Sequence, residues 1–221
     1  MVLKLYGISM AAGSTLAVAM ALVEKDVPFE LVPLDLRARA HKTPEFLAIQ
    51  PFGQVPAIDD DGFILFETRA ICRYLEQKYA DRGTSLMPSY QDAQAMGRFE
   101  QAASIEMSHF QPHAYAIYFE GLSKPRKGVA KDQAVWDREV ALLSEKFNVY
   151  EAILGKQKYL AGDEFSLVDL FHISFGWLLA PAGCDLLTTK GPNLARWWKA
   201  VTSRPSLKNL QLGEEIKSTA L

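Results

Sequence analysis

Two short segments carry the clearest chemistry in this chain. In Gln54-Val55-Pro56 a proline stands at the head of an apolar run, just after Gly53. Only X-Pro bonds make the cis peptide inexpensive, and a cis bond here would leave the Val55 amide and carbonyl as an unpaired strand edge. An extended peptide pairs with such an edge by adding a strand of its own; the plain alternative is a proline that only starts a strand. In Glu67-Thr68 a strand runs into a helix. A helix N-terminus offers free N–H groups and partial positive charge, which seat a carboxylate. The Thr68 hydroxyl adds a donor, and Glu67 can hold an ammonium. The pair suits an α-amino acid head group, against the plain alternative of a helix cap with a favourable acidic residue. His41 and Lys42 are neighbouring cations in a polar loop, available to an anion or simply solvated. His109 and His113 have the i, i+4 spacing of half a metal site, but no further ligands cluster nearby and Pro112 falls between them, so no metal is expected.

The elements that must hold these residues can be read around them. Residues 2–6 alternate as a strand closed by Gly7, and a partial 3.6-residue stripe through Leu16, Val18, Ala19, Leu22 and Val23 predicts a helix over 14–25. Residues 29–33 read as a second strand and 45–47 as a short helix. The apolar runs 55–58 and 63–66 flank Asp59-Asp60-Asp61-Gly62, whose Asp-Gly ending signals a hairpin. Ala70, Ile71, Tyr74 and Leu75 share one face of a helix over 67–79. The order βαβαββα within the first 80 residues fits a thioredoxin-like α/β module, and no Gly-x-Gly-x-x-Gly or P-loop is present. Gly, Thr, Ser and Pro within 81–88 mark a connector. Helical patterns then follow over 90–120, 130–154, 167–179 and 193–203, with Ser166-Leu167-Val168-Asp169 as a capping-box variant. The organisation expected is an α/β domain over 1–80, a linker over 81–89 and an all-helical domain over 90–221.

Composition narrows the function classes. Of 221 residues, 49% are hydrophobic, and the formal net charge of -2 leaves no concentrated basic face for nucleic acid. No apolar run reaches the roughly 20 residues of a membrane-spanning helix. Cys72 and Cys184 are far apart and belong to no Cys-x-x-Cys pair, and Cys72 sits among apolar residues as a buried small hydrophobe. A reducing, cytoplasmic setting is expected.

Taken together, the segments form a known pattern. Gln50-Pro51-Phe52-Gly53-Gln54-Val55-Pro56, then a hairpin, then Phe66-Glu67-Thr68-Arg69-Ala70-Ile71 resembles the glutathione transferase superfamily. The His41-Lys42 loop and Met107-Ser108-His109-Phe110-Gln111-Pro112 look most like the phi class and its fungal relatives, and Phe165-Ser166-Leu167-Val168-Asp169-Leu170 resembles the folding motif of the superfamily's helical domain. The likeness spans nearly the whole chain. It implies that Val55, beside a cis Pro56, pairs with the cysteinyl unit of glutathione. It further implies that Glu67 and Thr68 hold the γ-glutamyl group and that His41, Lys42 and Gln54 reach towards the glycyl end. Glutathione is then a co-substrate, and no cofactor is implied.

The chain departs from the family where the sulfur should sit. Relatives of this type lower the thiol pKa with a Ser hydroxyl near the start of the first helix, because the thiolate is the competent nucleophile. Here the turn reads Tyr6-Gly7-Ile8-Ser9-Met10-Ala11-Ala12-Gly13-Ser14, with Ala11 or Ala12 at the usual Ser position. Three readings stand: Ser14 supplies the hydroxyl or is a plain N-cap, Ser9 supplies it from the other side of the loop, or backbone N–H groups alone support the thiolate. On the acceptor side, Met10, Ala11, Ala12, Phe110, Tyr115, Tyr118 and Phe119 are expected to line a hydrophobic cleft. The resemblance also gives Phe52 the role of an apolar key inserted into a partner subunit, in a two-fold homodimer. The function implied is conjugation of glutathione to hydrophobic electrophiles, with hydroperoxide reduction as a side activity. The alternative is a ligandin-like binder of glutathione and apolar compounds without turnover.

Overall fold

The computed structural model describes residues 2–8 and 13–210. These fall into two compact units, 2–85 with 205–210 and 86–204.

The first unit contains β1 (Leu3–Gly7), α1 (Gly13–Glu24), β2 (Phe29–Pro33), a 3-10 turn at Ala40–Lys42, α2 (Pro44–Leu47), β3 (Ala57–Asp60), β4 (Phe63–Phe66) and α3 (Thr68–Lys78). Its sheet has the order β2-β1-β3-β4, with β1 and β2 parallel and the other pairs antiparallel. In β1, Leu3 and Leu5 point into the core and Lys4 outward, the period-two alternation of a strand. The β3–β4 hairpin turns at Asp61 and Gly62, both at positive φ (57° and 89°), as the twist of a two-residue connection requires. The Asp59 carboxylate accepts the Gly62 amide at 2.8 Å.

Helix α1 explains why its sequence stripe was only partial. Every residue from Leu16 to Leu22 is completely buried, so the helix has no solvent face to pattern against. Beyond it, Lys25 is fully buried and pairs with Glu76 at 3.0 Å, while its ammonium donates to the Thr84 carbonyl at 3.1 Å. Glu24 accepts hydrogen bonds from the hydroxyls of Thr84 and Ser206. With Leu207 and Leu210 buried, these contacts attach 205–210 to the first unit, not to the helical domain expected over 90–221.

The sheet register gathers four chain segments at one end. Gly7 pairs with Pro33, Tyr6 with Ala57, and Ala57 with Phe66. The end of β1, the loop that leads to His41-Lys42, the Val55-Pro56 entry to β3 and the Glu67-Thr68 exit from β4 therefore lie side by side at this end of the sheet.

The second unit is helical: α4 (Ala93–Ile105), α5 (Gln111–Tyr118), α6 (Lys124–Arg126), α7 (Gln133–Leu154), α8 (Leu167–Leu179), α9 (Leu186–Thr189) and α10 (Pro192–Thr202). Helices α4 to α6 run on from one another through two wide π turns, Glu106–Phe110 and Phe119–Ser123. Pro112 does not interrupt this stretch. A proline has no N–H and crowds the carbonyl one turn back, and the helix absorbs both Pro112 and Pro125 by widening just before each. Helix α8 is the core of the unit and opens on a capping box between Ser166 and Asp169. Among the described residues no helix is long and apolar enough to cross a membrane.

Candidate functional site

The loop before β3 is built to present backbone. The Val55-Pro56 peptide bond is cis, and β3 begins at Ala57, one residue later. Among the described residues neither the amide nor the carbonyl of Val55 takes part in a hydrogen bond. The buried Gln50 holds the loop in shape: its side-chain carbonyl accepts the Gln54 amide at 3.0 Å, and its backbone carbonyl accepts the Gly53 amide at 2.9 Å. Gly53 lies at φ +58°, and a Cβ there would stand 2.5 Å from the His41 carbonyl. Only glycine lets the two loops approach this closely. Through that approach Lys42 donates to the Phe52 carbonyl at 2.8 Å, and His41, Lys42 and Gln54 become neighbours. The His41 Nδ1 atom is buried and without a partner among the described residues.

The start of α3 is the second half of the site. Glu67 is exposed and sits at φ 73°, ψ 111°, outside the regions an L-residue prefers, and its side chain makes no capping bond. Such a conformation costs about 1–3 kcal/mol and is kept where function requires it. The first amide of this helix satisfied from within is that of Ile71, on the Glu67 carbonyl. Helices α4, α7 and α8 are capped by the side chains of Asp92, Asp132 and Ser166, and α10 receives the Glu151 carboxylate on the amides of Asn193 and Leu194. The α3 start has no such side-chain cap from Glu67, and Thr68 is its first helical residue.

At the sulfur position, Ser9, Met10, Ala11 and Ala12 lie outside the described residues. Ser14 is the second residue of α1, after Gly13 at φ +73°, so it sits inside the first turn and is not the N-cap that one reading made it. Its hydroxyl has no hydrogen-bond partner among the described residues. The first turn is seated tightly on the sheet, since a Cβ on Gly7 would fall 2.3 Å from the Thr15 side chain. Cys72 is fully buried, and burial pushes its thiol up to about 12, so it supplies no thiolate near neutral pH.

In the helical unit the expected acceptor residues separate into two groups. Phe110 is completely buried, stacked near Phe147 and against His172, and offers no surface to a ligand; its place in an acceptor cleft is corrected accordingly. Tyr115 remains half exposed, stacked on Phe119 at 6.0 Å, with Phe175 edge-on at 5.4 Å and Tyr118 alongside. The His113 Nδ1 atom meets the Glu139 carboxylate at 2.7 Å, and no group of three or more potential ligands occurs among the described residues.

Two family models match this chain: the glutathione S-transferase N-terminal domain over residues 1–77 and the glutathione S-transferase C-terminal domain over residues 109–205. Glutathione S-transferase hmp2 of Hypomyces subiculosus is 44% identical over 92% of this chain and 95% of its own length. The chain belongs to the glutathione S-transferase family. Its fold agrees with that of glutathione transferase F2 from Populus trichocarpa, with a TM-score of 0.89 at 37% identity, covering 96% of this chain and 99% of the other. Glutathione S-transferase I from maize, solved in complex with an atrazine glutathione conjugate, gives a TM-score of 0.85 at 33% identity over 95% and 96% of the two chains. The phi-class likeness of the sequence is in keeping with these relatives.

Two features of this transferase site had only faint sequence signals. Gly53 was one letter in a motif until the close approach of His41 gave it a reason. The backbone of Glu67 carried no signal at all, because glutamate, unlike aspartate, is not among the residues enriched at positive φ.

Proposed function

We propose that this protein conjugates the glutathione thiolate to hydrophobic electrophiles. The observation that carries this reading is the open start of α3 beside the unpaired Val55 edge, at one end of the sheet. Glutathione needs what that end offers. Its γ-glutamyl carboxylate lies on the first amides of α3 and the Thr68 hydroxyl, and its ammonium lies on Glu67. The cysteinyl amide and carbonyl pair with Val55 beside Pro56 as a short added strand. The glycyl carboxylate meets His41, Lys42 and Gln54.

Ser14 is the activating hydroxyl in this proposal, since it stands in the first turn of α1 with no hydrogen-bond partner among the described residues. A hydrogen bond to an ionised sulfur is worth roughly 1.5–3 kcal/mol, which lowers the thiol pKa by about one to two units. The thiol proton passes to solvent. The sulfur lone pair then forms a bond to the electrophilic carbon, and a leaving group such as halide departs with its electron pair. Tyr115, Tyr118 and Phe119 offer the acceptor an aromatic surface. Hydroperoxide reduction by the same thiolate is a side activity. Phe52, 64% exposed and edge-on to Phe66, supports a homodimer in which it enters the partner. The setting proposed is the cytoplasm.

The test is steady-state conjugation of 1-chloro-2,4-dinitrobenzene against pH, for the wild type, Ser14→Ala and Ser9→Ala. The expected result is turnover by the wild type, with the Ser14→Ala profile moved up by about one to two pH units. An unmoved profile removes Ser14 from the mechanism. Retention on a glutathione resin without turnover would establish the non-catalytic binder, the reading that the relatives do not favour.

A further inference from the structure

Among the described residues, the non-glycine residues at positive φ are Asp26, Arg39, Asp61 and Glu67. Aspartate tolerates that region, because its short side chain bonds the local backbone, and Asp26 and Asp61 sit in the turns that follow α1 and β3. Arginine and glutamate lack that relief. Arg39 lies at φ 58°, ψ 28°, and its side chain makes no capping bond. The backbone holds it there: its amide donates to the Leu36 carbonyl at 3.2 Å, and its carbonyl accepts the Lys42 amide at 2.8 Å. Arg37, Arg39 and Lys42 share this loop, and the acids beside them are engaged locally. The Asp35 carboxylate accepts the amides of Arg37 at 2.8 Å and Ala38 at 3.0 Å, and Glu45 is the first-turn acid of α2. Lys42 is tied to the Phe52 carbonyl, whereas Arg37 and Arg39 are exposed and make no ion pair among the described residues. The loop is fixed in place, since a Cβ on Gly53 would stand 2.7 Å from the Lys42 ammonium as well as 2.5 Å from the His41 carbonyl. Two residues of chain span at most about 7 Å, so Arg39 borders His41 and the end of the site given above to the glycyl carboxylate.

We propose that Arg39 makes this site select thiol tripeptides whose third residue is acidic, with Arg37 as a weaker second charge. The proposal rests on reading His41, Lys42 and Gln54 as the glycyl end. It names a co-substrate class: γ-glutamyl-cysteinyl peptides that carry a second carboxylate on the third residue. A guanidinium matches a carboxylate through two parallel hydrogen bonds. Because Arg39 is exposed, the selectivity is modest and screened by salt.

The experiment is titration calorimetry on the full chain with S-methylglutathione and its analogues that carry aspartate or asparagine as the third residue. The two analogues have nearly the same shape and differ by one charge. At low salt the aspartate peptide should bind about two- to five-fold tighter than the asparagine peptide. That ratio should fall to about one in Arg39→Asn, which removes the charge with a residue that accepts positive φ. It should fall likewise in the wild type at about 0.5 M salt. Arg39→Lys, which keeps the charge, should retain part of the preference, and Arg37→Gln should lower it less than Arg39→Asn does. A wild type without preference, a ratio unmoved in Arg39→Asn, or an Arg39→Lys ratio no better than that of Arg39→Asn would each overturn the proposal. If S-methylglutathione then still binds and weakens in Glu67→Gly, the glutathione reading stands without it. If none of the peptides binds, the glutathione reading itself fails, and the proposal with it.

Discussion

Helices α3 and α8 both begin directly after extended chain, and they treat the same problem in opposite ways. Any helix leaves its first amides without partners inside the helix. At α8 the chain supplies them. Ser166 accepts the Val168 amide at 3.3 Å, and Asp169 reaches back to the Ser166 amide at 2.9 Å. The Asp169 carboxylate also takes the Leu160 amide and the Trp197 indole N–H. At α3 the residue before the helix is turned to φ 73°, is exposed and caps nothing. One helix start is closed by its own sequence and holds a domain together; at the other the residue before the helix supplies no side-chain cap. An uncapped start is thus informative when other starts in the same chain are capped.

The largest effect should come from breaking the closed end. Asp169 is completely buried, and burial pushes its carboxyl above the usual range while the hydrogen bonds from Leu160, Trp197 and Ser166 pull it back. Asp169→Ala strands those donors and should destabilise the protein by about 3–5 kcal/mol. Urea denaturation followed by far-UV circular dichroism measures this. A loss below about 1 kcal/mol would mean that the box is not what closes α8.

Glu67 is the matching residue at the open end, and its expected behaviour is reversed. Glu67→Gly removes the carboxylate that the proposal sets against an ammonium, so KM for glutathione should rise roughly 10- to 100-fold. Stability should hold or improve, because glycine accepts φ 73° without strain. If Glu67→Gly lowered the unfolding midpoint as Asp169→Ala does, the residue would be a structural cap and the contrast between the two helices would collapse.

How much of this was legible in the sequence depends on how local each cause is. The Asp-Gly hairpin, the Ser166–Asp169 box and the proline at position 56 are set by a few adjacent residues, and the structure has a hairpin, a box and a cis bond there. Phe110 is an intermediate case. It stands four and seven positions before Ala114 and Ile117, which are also completely buried, so a 3.6-residue count sets it on the inner face and Tyr115 off it. The count does not supply its neighbours Phe147 and His172, which come from other helices. Nor could a linear reading see Ser206 returning to Glu24, a contact set by packing 182 residues apart in the chain. In the site, residue types were readable, but the strained backbone of Glu67 was not.

Gly53 tests whether the open end is assembled by close approach. Gly53→Ala would place a Cβ 2.5 Å from the His41 carbonyl at a φ of +58°. The loops must separate, so stability should fall by about 1–3 kcal/mol. KM for glutathione should rise several-fold, because His41 and Lys42 move away with their loop. A variant with lost stability but an unchanged KM would place the glycyl end of glutathione elsewhere.

Asp60 provides the smallest effect and the control within the first unit itself. It is a buried carboxylate that this unit does close, with Tyr74 donating at 2.8 Å and Lys78 at 2.6 Å. Burial alone would raise its pKa; the hydrogen bonds from Lys78 and Tyr74, with the Lys78 charge, hold it below the ordinary 3.8. A carboxyl lowered in the fold stabilises fully above its unfolded pKa, and that contribution is lost as pH falls through the folded value. The same pair raises Lys78, whose contribution disappears only far into the alkaline range. Asp60→Asn should therefore lose about 1 kcal/mol at pH 7. The difference from wild type should shrink below about pH 4, and KM for glutathione should not change, since Asp60 faces α3 near its last turn. Denaturation at pH 7 and pH 3 decides it. A difference equal at both values would mean that the Asp60 charge contributes nothing, while an altered KM would extend the ligand-binding end along the whole of α3.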